Sequence, residues 1–138
     1  MGKAIDKKMV KKTKRSIQWV NAKKQKYAGL HIIAEFWGSK TIENSKKIEK
    51  ILVRAAKEGG NTPLKVTIHK FLPQGITGVV LLAESHIAIH SWSEYSYLAI
   101  DIFTCGDKAL PEKSLEYLRK EFKPKKVEVK RIKRGIII

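Results

Sequence analysis

Ser85, His90 and Cys105 are the residues of this chain whose types and spacing suit chemistry on its own backbone. Ser85 and His90 lie in Leu81-Leu82-Ala83-Glu84-Ser85-His86-Ile87-Ala88-Ile89-His90-Ser91-Trp92, and Cys105, the only cysteine, follows in Thr104-Cys105-Gly106. A hydroxyl, an imidazole five residues on and a thiol one strand-length later suit a chain that cuts itself. Leu81, Leu82, Ile87 and Ile89 are apolar and mostly β-prone, so Glu84, Ser85 and His86 interrupt a pair of strands. Polar groups at such a junction are hydrogen-bonded or reactive, because an unpaired buried one costs about 1–3 kcal/mol. The plain alternative for the tripeptide is a surface turn.

The elements that must position these residues follow from hydrophobic period. Leu30, Ile32, Ala34 and Phe36 alternate with His31, Ile33, Glu35 and Trp37, which predicts a strand with two distinct faces. Ile48, Ile51, Leu52, Ala55 and Ala56 recur at helical spacing with lysines between them, and Gly59-Gly60 ends the helix. Strands are predicted around Lys65–Leu72 and over Ile76–Ala83, joined by a turn at Pro73-Gln74-Gly75. Further strands are predicted over Ile87–Ser91 and Tyr97–Thr104, then a helix over Pro111–Phe122 and a last strand over Lys126–Ile132. This order predicts an α+β fold, a two-layer sandwich of a mostly antiparallel sheet with helices on one face. The other face then needs a cover.

At 138 residues the chain is the size of one domain with a real core. It has no run of 18 apolar residues, so a soluble, cytoplasmic protein with no membrane partner is expected, and its single cysteine can make no internal disulfide. The net charge of +16 is unevenly placed. Residues 1–26 carry ten Lys and Arg against Asp6, residues 119–138 carry nine against Glu121 and Glu128, and residues 27–118 hold ten of each sign. We read residues 1–26 as a basic arm and residues 27–138 as a single domain with a basic C-terminal tail. Any attraction to nucleic acid is expected to be weak, salt-sensitive and confined to these ends.

Five separated words carry a resemblance to a known family. They are His31 to Gly38, His69-Lys70-Phe71 with Gln74-Gly75, Thr77-Gly78-Val79-Val80, Glu84-Ser85-His86, and Asp101 to Gly106. In them the chain resembles the pyruvoyl-dependent S-adenosylmethionine decarboxylases, in their short prokaryotic and archaeal form, over roughly residues 29–122. The resemblance implies that the Ser85 hydroxyl attacks the Glu84 carbonyl and that the resulting ester breaks by β-elimination. The products would be chains 1–84 and 85–138, the second headed by a pyruvoyl group derived from Ser85, the covalent cofactor. His90 matches the processing base of the family and Thr77 its processing hydroxyl.

In the family the ketone forms a Schiff base with the substrate amine and takes up the electrons left by carbon dioxide. Cys105 matches the acid that returns a proton to the α-carbon, a role that asks for an acid tuned near neutrality. Phe71 and Glu94 match positions that stack an adenine ring and hold ribose hydroxyls. Trp92 and Trp37 add candidate stacking surfaces, with core packing as the alternative for both. No metal site is expected. Where the family commonly reads His-Thr-Trp-Pro-Glu, this chain has His90-Ser91-Trp92-Ser93-Glu94, and the lost proline is expected to loosen that turn. Family relatives look like homodimers whose sheets pack face to face, with active sites between the subunits. The expected activity is decarboxylation of S-adenosylmethionine for spermidine-type polyamines. An arginine or other amino-acid decarboxylase on the same scaffold is one alternative, and a basic RNA-binding module with an inactive core is another.

Overall fold

The computed structural model describes residues 20–22, 25–106 and 108–137. Most of the arm expected over residues 1–26 therefore lies outside the described residues. The part inside forms two short antiparallel strands, β1 (Val20–Ala22) and β2 (Gln25–Tyr27), and Ile137 bridges to Lys26.

Six longer strands make the main sheet. They are β3 (Gly29–Trp37), β4 (Pro63–Lys70), β5 (Ile76–Leu82), β6 (His86–Trp92), β7 (Tyr97–Cys105) and β8 (Lys126–Arg134). Their order is β4-β5-β6-β7-β3-β8, and every neighbouring pair is antiparallel. Helix α1 (Ser45–Glu58) lies over β4 and β5 and packs beside helix α2 (Pro111–Phe122). The period of two decides the layers: Ile32, Ala34 and Phe36 of β3 and Leu98, Ile100 and Ile102 of β7 are buried under the helices. Ile48, Ile51, Leu52, Ala55 and Ala56 form the buried stripe of α1, while Leu115, Leu118 and Phe122 form that of α2.

Local chemistry starts and stops these elements. Asn44 caps α1 by accepting the Lys47 N–H at 3.0 Å, and the Gly59 N–H closes it on the Ala55 and Ala56 carbonyls. Pro111 occupies the first turn of α2, where its missing N–H costs nothing. The Ser114 hydroxyl donates to the Ala55 carbonyl at 2.6 Å and ties the helices together. Strand β8 runs past Ile132 to Arg134, so most of the basic C-terminal stretch is the edge strand paired to β3.

At one end of the sheet β3 and β7 approach closely. A Cβ added at Gly29 would lie 2.4 Å from the Thr104 carbonyl oxygen. Gly29→Ala is therefore expected to force the strands apart beside Cys105 and to destabilise the fold by about 1–3 kcal/mol, read from a denaturant melt.

The face away from the helices remains open. It exposes Leu81, Trp92, Trp37 and Ile132, one from each of β5, β6, β3 and β8. All four histidines also sit on the open face, at alternate positions of β3, β4 and β6.

Candidate active site

The candidate residues fall into two groups at opposite ends of the open face. The first is built on the β5–β6 hairpin. Leu82 and Ser85 close a two-residue loop, the Leu82 N–H donating to the Ser85 carbonyl at 2.8 Å, and Ala83-Glu84 forms its tip. Thr62, just before β4, fixes this tip: its carbonyl accepts the Ala83 N–H at 3.0 Å, and its own N–H donates to the Glu84 carboxylate at 2.9 Å. With the Glu84 side chain held there, its main-chain carbonyl faces β7, where the Cys105 thiol donates to it at 2.8 Å. Ser85 Oγ lies 3.3 Å from His86 Nδ1. The Glu84 carbonyl, the Ser85 hydroxyl, a thiol donor and an imidazole are thus assembled within one chain.

Burial and the nearby Glu84 carboxylate push the Cys105 thiol above its ordinary pKa. Cys105 stays a protonated thiol at neutral pH, which suits a hydrogen-bond donor to the Glu84 carbonyl.

The second group lies at the other end. Thr77 and His90 face each other across β5 and β6, with Thr77 Oγ1 3.2 Å from His90 Nδ1. Phe71, Trp92 and Glu94 join them around a cleft of about 280 Å³. A narrower crevice bordered by Ser39 and Phe122 has about 10 Å³, too little for a nucleoside.

The cleft is shaped by Gly75, whose φ of +102° turns the chain between β4 and β5 and whose carbonyl accepts the Phe71 N–H at 2.8 Å. Glu43 accepts the Gly75 N–H at 2.9 Å and also the Ser93 hydroxyl, linking this turn to the 3₁₀ turn Ser93–Tyr95. Ser93 stands where the family commonly has proline, and its hydroxyl bond to Glu43 is a tie that a proline there could not make. Sequence reading missed Glu43, which lies in a polar loop without period. It also gave no role to His86.

Trp92, Tyr97 and Trp37 form an aromatic row beside the cleft, with ring centroids 5.4 Å and 4.2 Å apart in that order. Trp37 is thus placed on the open face rather than in the core. The Tyr97 hydroxyl donates to Glu35 at 2.7 Å, and burial together with that bond pushes its pKa up to about 12. Tyr97 stays neutral throughout the physiological range.

The two groups do not meet in a single chain. His90 is opposite Ala99 on β7, six residues before Cys105, which at the rise of a strand is about 20 Å. His90 and Thr77 therefore do not reach the Ser85 of their own chain.

Comparison with known proteins decides the family. Residues 30–135 match the S-adenosylmethionine decarboxylase family. This chain belongs to that family. It is 50% identical to the S-adenosylmethionine decarboxylase proenzyme of Methanococcus vannielii over 114 residues, covering 81% of this chain and 93% of that one. The proenzyme of Carboxydothermus hydrogenoformans is 46% identical over 112 residues, covering 80% and 88%. The crystal structure of the adenosylmethionine decarboxylase from Aquifex aeolicus superposes with a TM-score of 0.74 at 36% identity, covering 80% of this chain and 92% of that one. That fold agreement extends to the six-stranded sheet and two helices that position both groups in this S-adenosylmethionine decarboxylase family member.

Proposed function

We propose that the chain is a proenzyme that cuts itself between Glu84 and Ser85 and then decarboxylates S-adenosylmethionine, yielding the aminopropyl donor for spermidine-type polyamines. The observation that carries this reading is the Glu84 carbonyl held by the Cys105 thiol at 2.8 Å, in a chain whose similar relatives bear the name proenzyme. The residues present fit a pyruvoyl group formed at position 85. Ser85 would supply its carbon skeleton, and Cys105, on the adjacent strand, is near enough to serve it as an acid. Once formed, that group supplies the electron sink which a decarboxylating α-carbon needs.

The working unit is a homodimer whose open sheet faces pack together. Trp37, Leu81, Trp92 and Ile132 supply exposed apolar surface for that contact. The stronger reason is the distance between the two groups. A twofold axis near the middle of the face brings Thr77 and His90 of one subunit to Ser85 and Cys105 of the other, completing two equivalent sites. Ala88 and Ala99, close to that middle, keep the surface low enough for close approach.

In each site Phe71 and Trp92 offer aromatic faces to the adenine, and Glu94 offers a carboxylate to the ribose hydroxyls. Carbon dioxide release tests this directly. S-adenosylmethionine is expected to be turned over and arginine, at equal concentration, is not. Phe71→Ala should raise KM about tenfold or more while chain cleavage proceeds. Release from arginine alone would reassign the substrate. Among the described residues no helix is long and apolar enough to cross a membrane, and a cytoplasmic enzyme accords with the thiol chemistry assigned to Cys105.

A further inference from the structure

We propose that His86 is the general base that begins chain cleavage, its Nδ1 taking the Ser85 hydroxyl proton as Oγ attacks the Glu84 carbonyl. The inference rests on the self-cleavage reading above and assigns a step within it. Two different protons must leave Ser85 on the way to the cofactor. The first is on Oγ, and its loss makes the nucleophile; the second is on Cα, and its loss drives the elimination. The family resemblance supplies one imidazole, His90, which within a chain is hydrogen-bonded to Thr77, four residues farther along β6 than His86, and in the face-to-face dimer the partner's His90 is assigned the Cα proton. His86 Nδ1 lies 3.3 Å from Ser85 Oγ, and the acceptor carbonyl is already bound by the Cys105 thiol.

The surroundings of His86 keep it ready to accept a proton. It packs on the open face beside Phe103 and His31, with ring centroids 6.1 Å and 6.4 Å away. The charged and titratable groups that act on it are Asp101 on β7, His31 on β3 and Arg134 on β8, while Leu81, its β5 neighbour, brings none. His31 Nε2 is engaged with Asp101 at 3.0 Å, and the Arg134 guanidinium lies 5.0 Å from the centre of the Phe103 ring. Burial lowers the pKa of His86 most, Asp101 opposes it, and His31 and Arg134 lower it further, so the net shift is downward. A histidine with a pKa below the ordinary value of about 6.5 is neutral at pH 7 and carries a free lone pair on one ring nitrogen.

The step balances without any external reagent. The Oγ–H proton moves to His86 Nδ1, the Oγ–C bond forms, and the carbonyl electrons become an oxyanion that accepts the Cys105 S–H. When that oxyanion collapses, the C–N bond breaks and His86 returns the proton to the departing Ser85 nitrogen. An ester and a free amine result, with His86 neutral again and the Cα proton of residue 85 left for the elimination step.

The test isolates ester formation from elimination. In His90→Ala, where elimination is blocked, the ester persists and saturating hydroxylamine should split the chain into 1–84, bearing a hydroxamate at Glu84, and 85–138. His86→Asn should slow self-cleavage about a hundredfold, and the pair His86→Asn with His90→Ala should slow hydroxylamine-dependent splitting equally. The sign of the pH effect follows from the depressed pKa. Splitting of His90→Ala should be flat above pH 6.5 and fall about tenfold per unit once pH drops below the pKa of His86, as the imidazole takes up a proton. The double variant should lack that limb, which a merely structural role for His86 would leave in place. If His86→Asn melts early, the pH limb of His90→Ala decides alone, and its absence overturns the inference. Cleavage of a folded His86→Asn at the wild-type rate also overturns it, with the proenzyme reading intact. A wild type that never splits, together with a hydroxylamine-resistant His90→Ala, overturns both.

Discussion

Ser85→Ala is expected to remain one chain of 138 residues and to release no carbon dioxide, while the wild type appears under denaturing mass spectrometry as chains 1–84 and 85–138. The expectation follows from what the hydroxyl alone can do. Attack of Oγ on the preceding carbonyl closes a five-membered ring at a near-unimolecular effective concentration, an advantage no water molecule in solution shares. Removing Oγ removes both the nucleophile and the ester oxygen whose departure by β-elimination makes the cofactor, so cleavage and decarboxylation fail together. The fold should survive, since the Ser85 carbonyl still accepts the Leu82 N–H and Thr62 still holds Ala83 and Glu84. A change that deletes one half-exposed hydroxyl usually alters stability by no more than about 1 kcal/mol. Splitting of Ser85→Ala at the same bond would show that another group attacks it. A wild type that stays whole for hours under native conditions would remove the basis for the cofactor.

The layers were readable in the sequence because they are set by local period. Alternation in Leu30 to Trp37 separates the helix face from the open face without any knowledge of neighbours, and the spacing of Ile48, Ile51, Leu52 and Ala55 does the same for α1. The ends of elements were less exact, as His86 and Cys105 each extend a strand by one residue beyond the apolar run. The contact between Cys105 and Glu84 is a product of register. His86 pairs with Phe103, so the residue two before His86 falls beside the residue two after Phe103. Nothing in the twenty intervening positions announces it.

His90 shows the opposite lesson. Five residues from Ser85 look close in a written sequence, yet along a strand they span about 16 Å, and the strand assignment of Ile87 to Ser91 already implied the separation. Glu43 was invisible for a different reason. Its partners, the Gly75 N–H and the Ser93 hydroxyl, are 32 and 50 residues away, and only tertiary folding gives that carboxylate a task.

Mixing two inactive variants should restore activity, and that result would test the shared site more sharply than a measurement of subunit number. Ser85→Ala lacks the nucleophile and His90→Ala lacks the imidazole of the cleft, so each homodimer is expected to be inactive. In a heterodimer the two defects fall together in one site. The other site then combines Ser85 and Cys105 from the His90→Ala chain with Thr77 and His90 from the Ser85→Ala chain, and every required group is present. Random pairing of co-expressed chains makes half of the dimers mixed with one good site in each, so about a quarter of wild-type turnover is expected. Cleavage should follow the same rule, with only the His90→Ala chain split, a difference that a mass spectrum reads directly. The physical basis is the six-position separation of Ala99 and Cys105 along β7, which keeps His90 away from its own Ser85. Were each chain to hold a complete site, every pairing would leave one defect per site and the mixture would stay inactive. No restoration in a mixture shown to contain heterodimers would therefore reject the face-to-face arrangement and require β6 to bend His90 back toward Ser85 within one subunit.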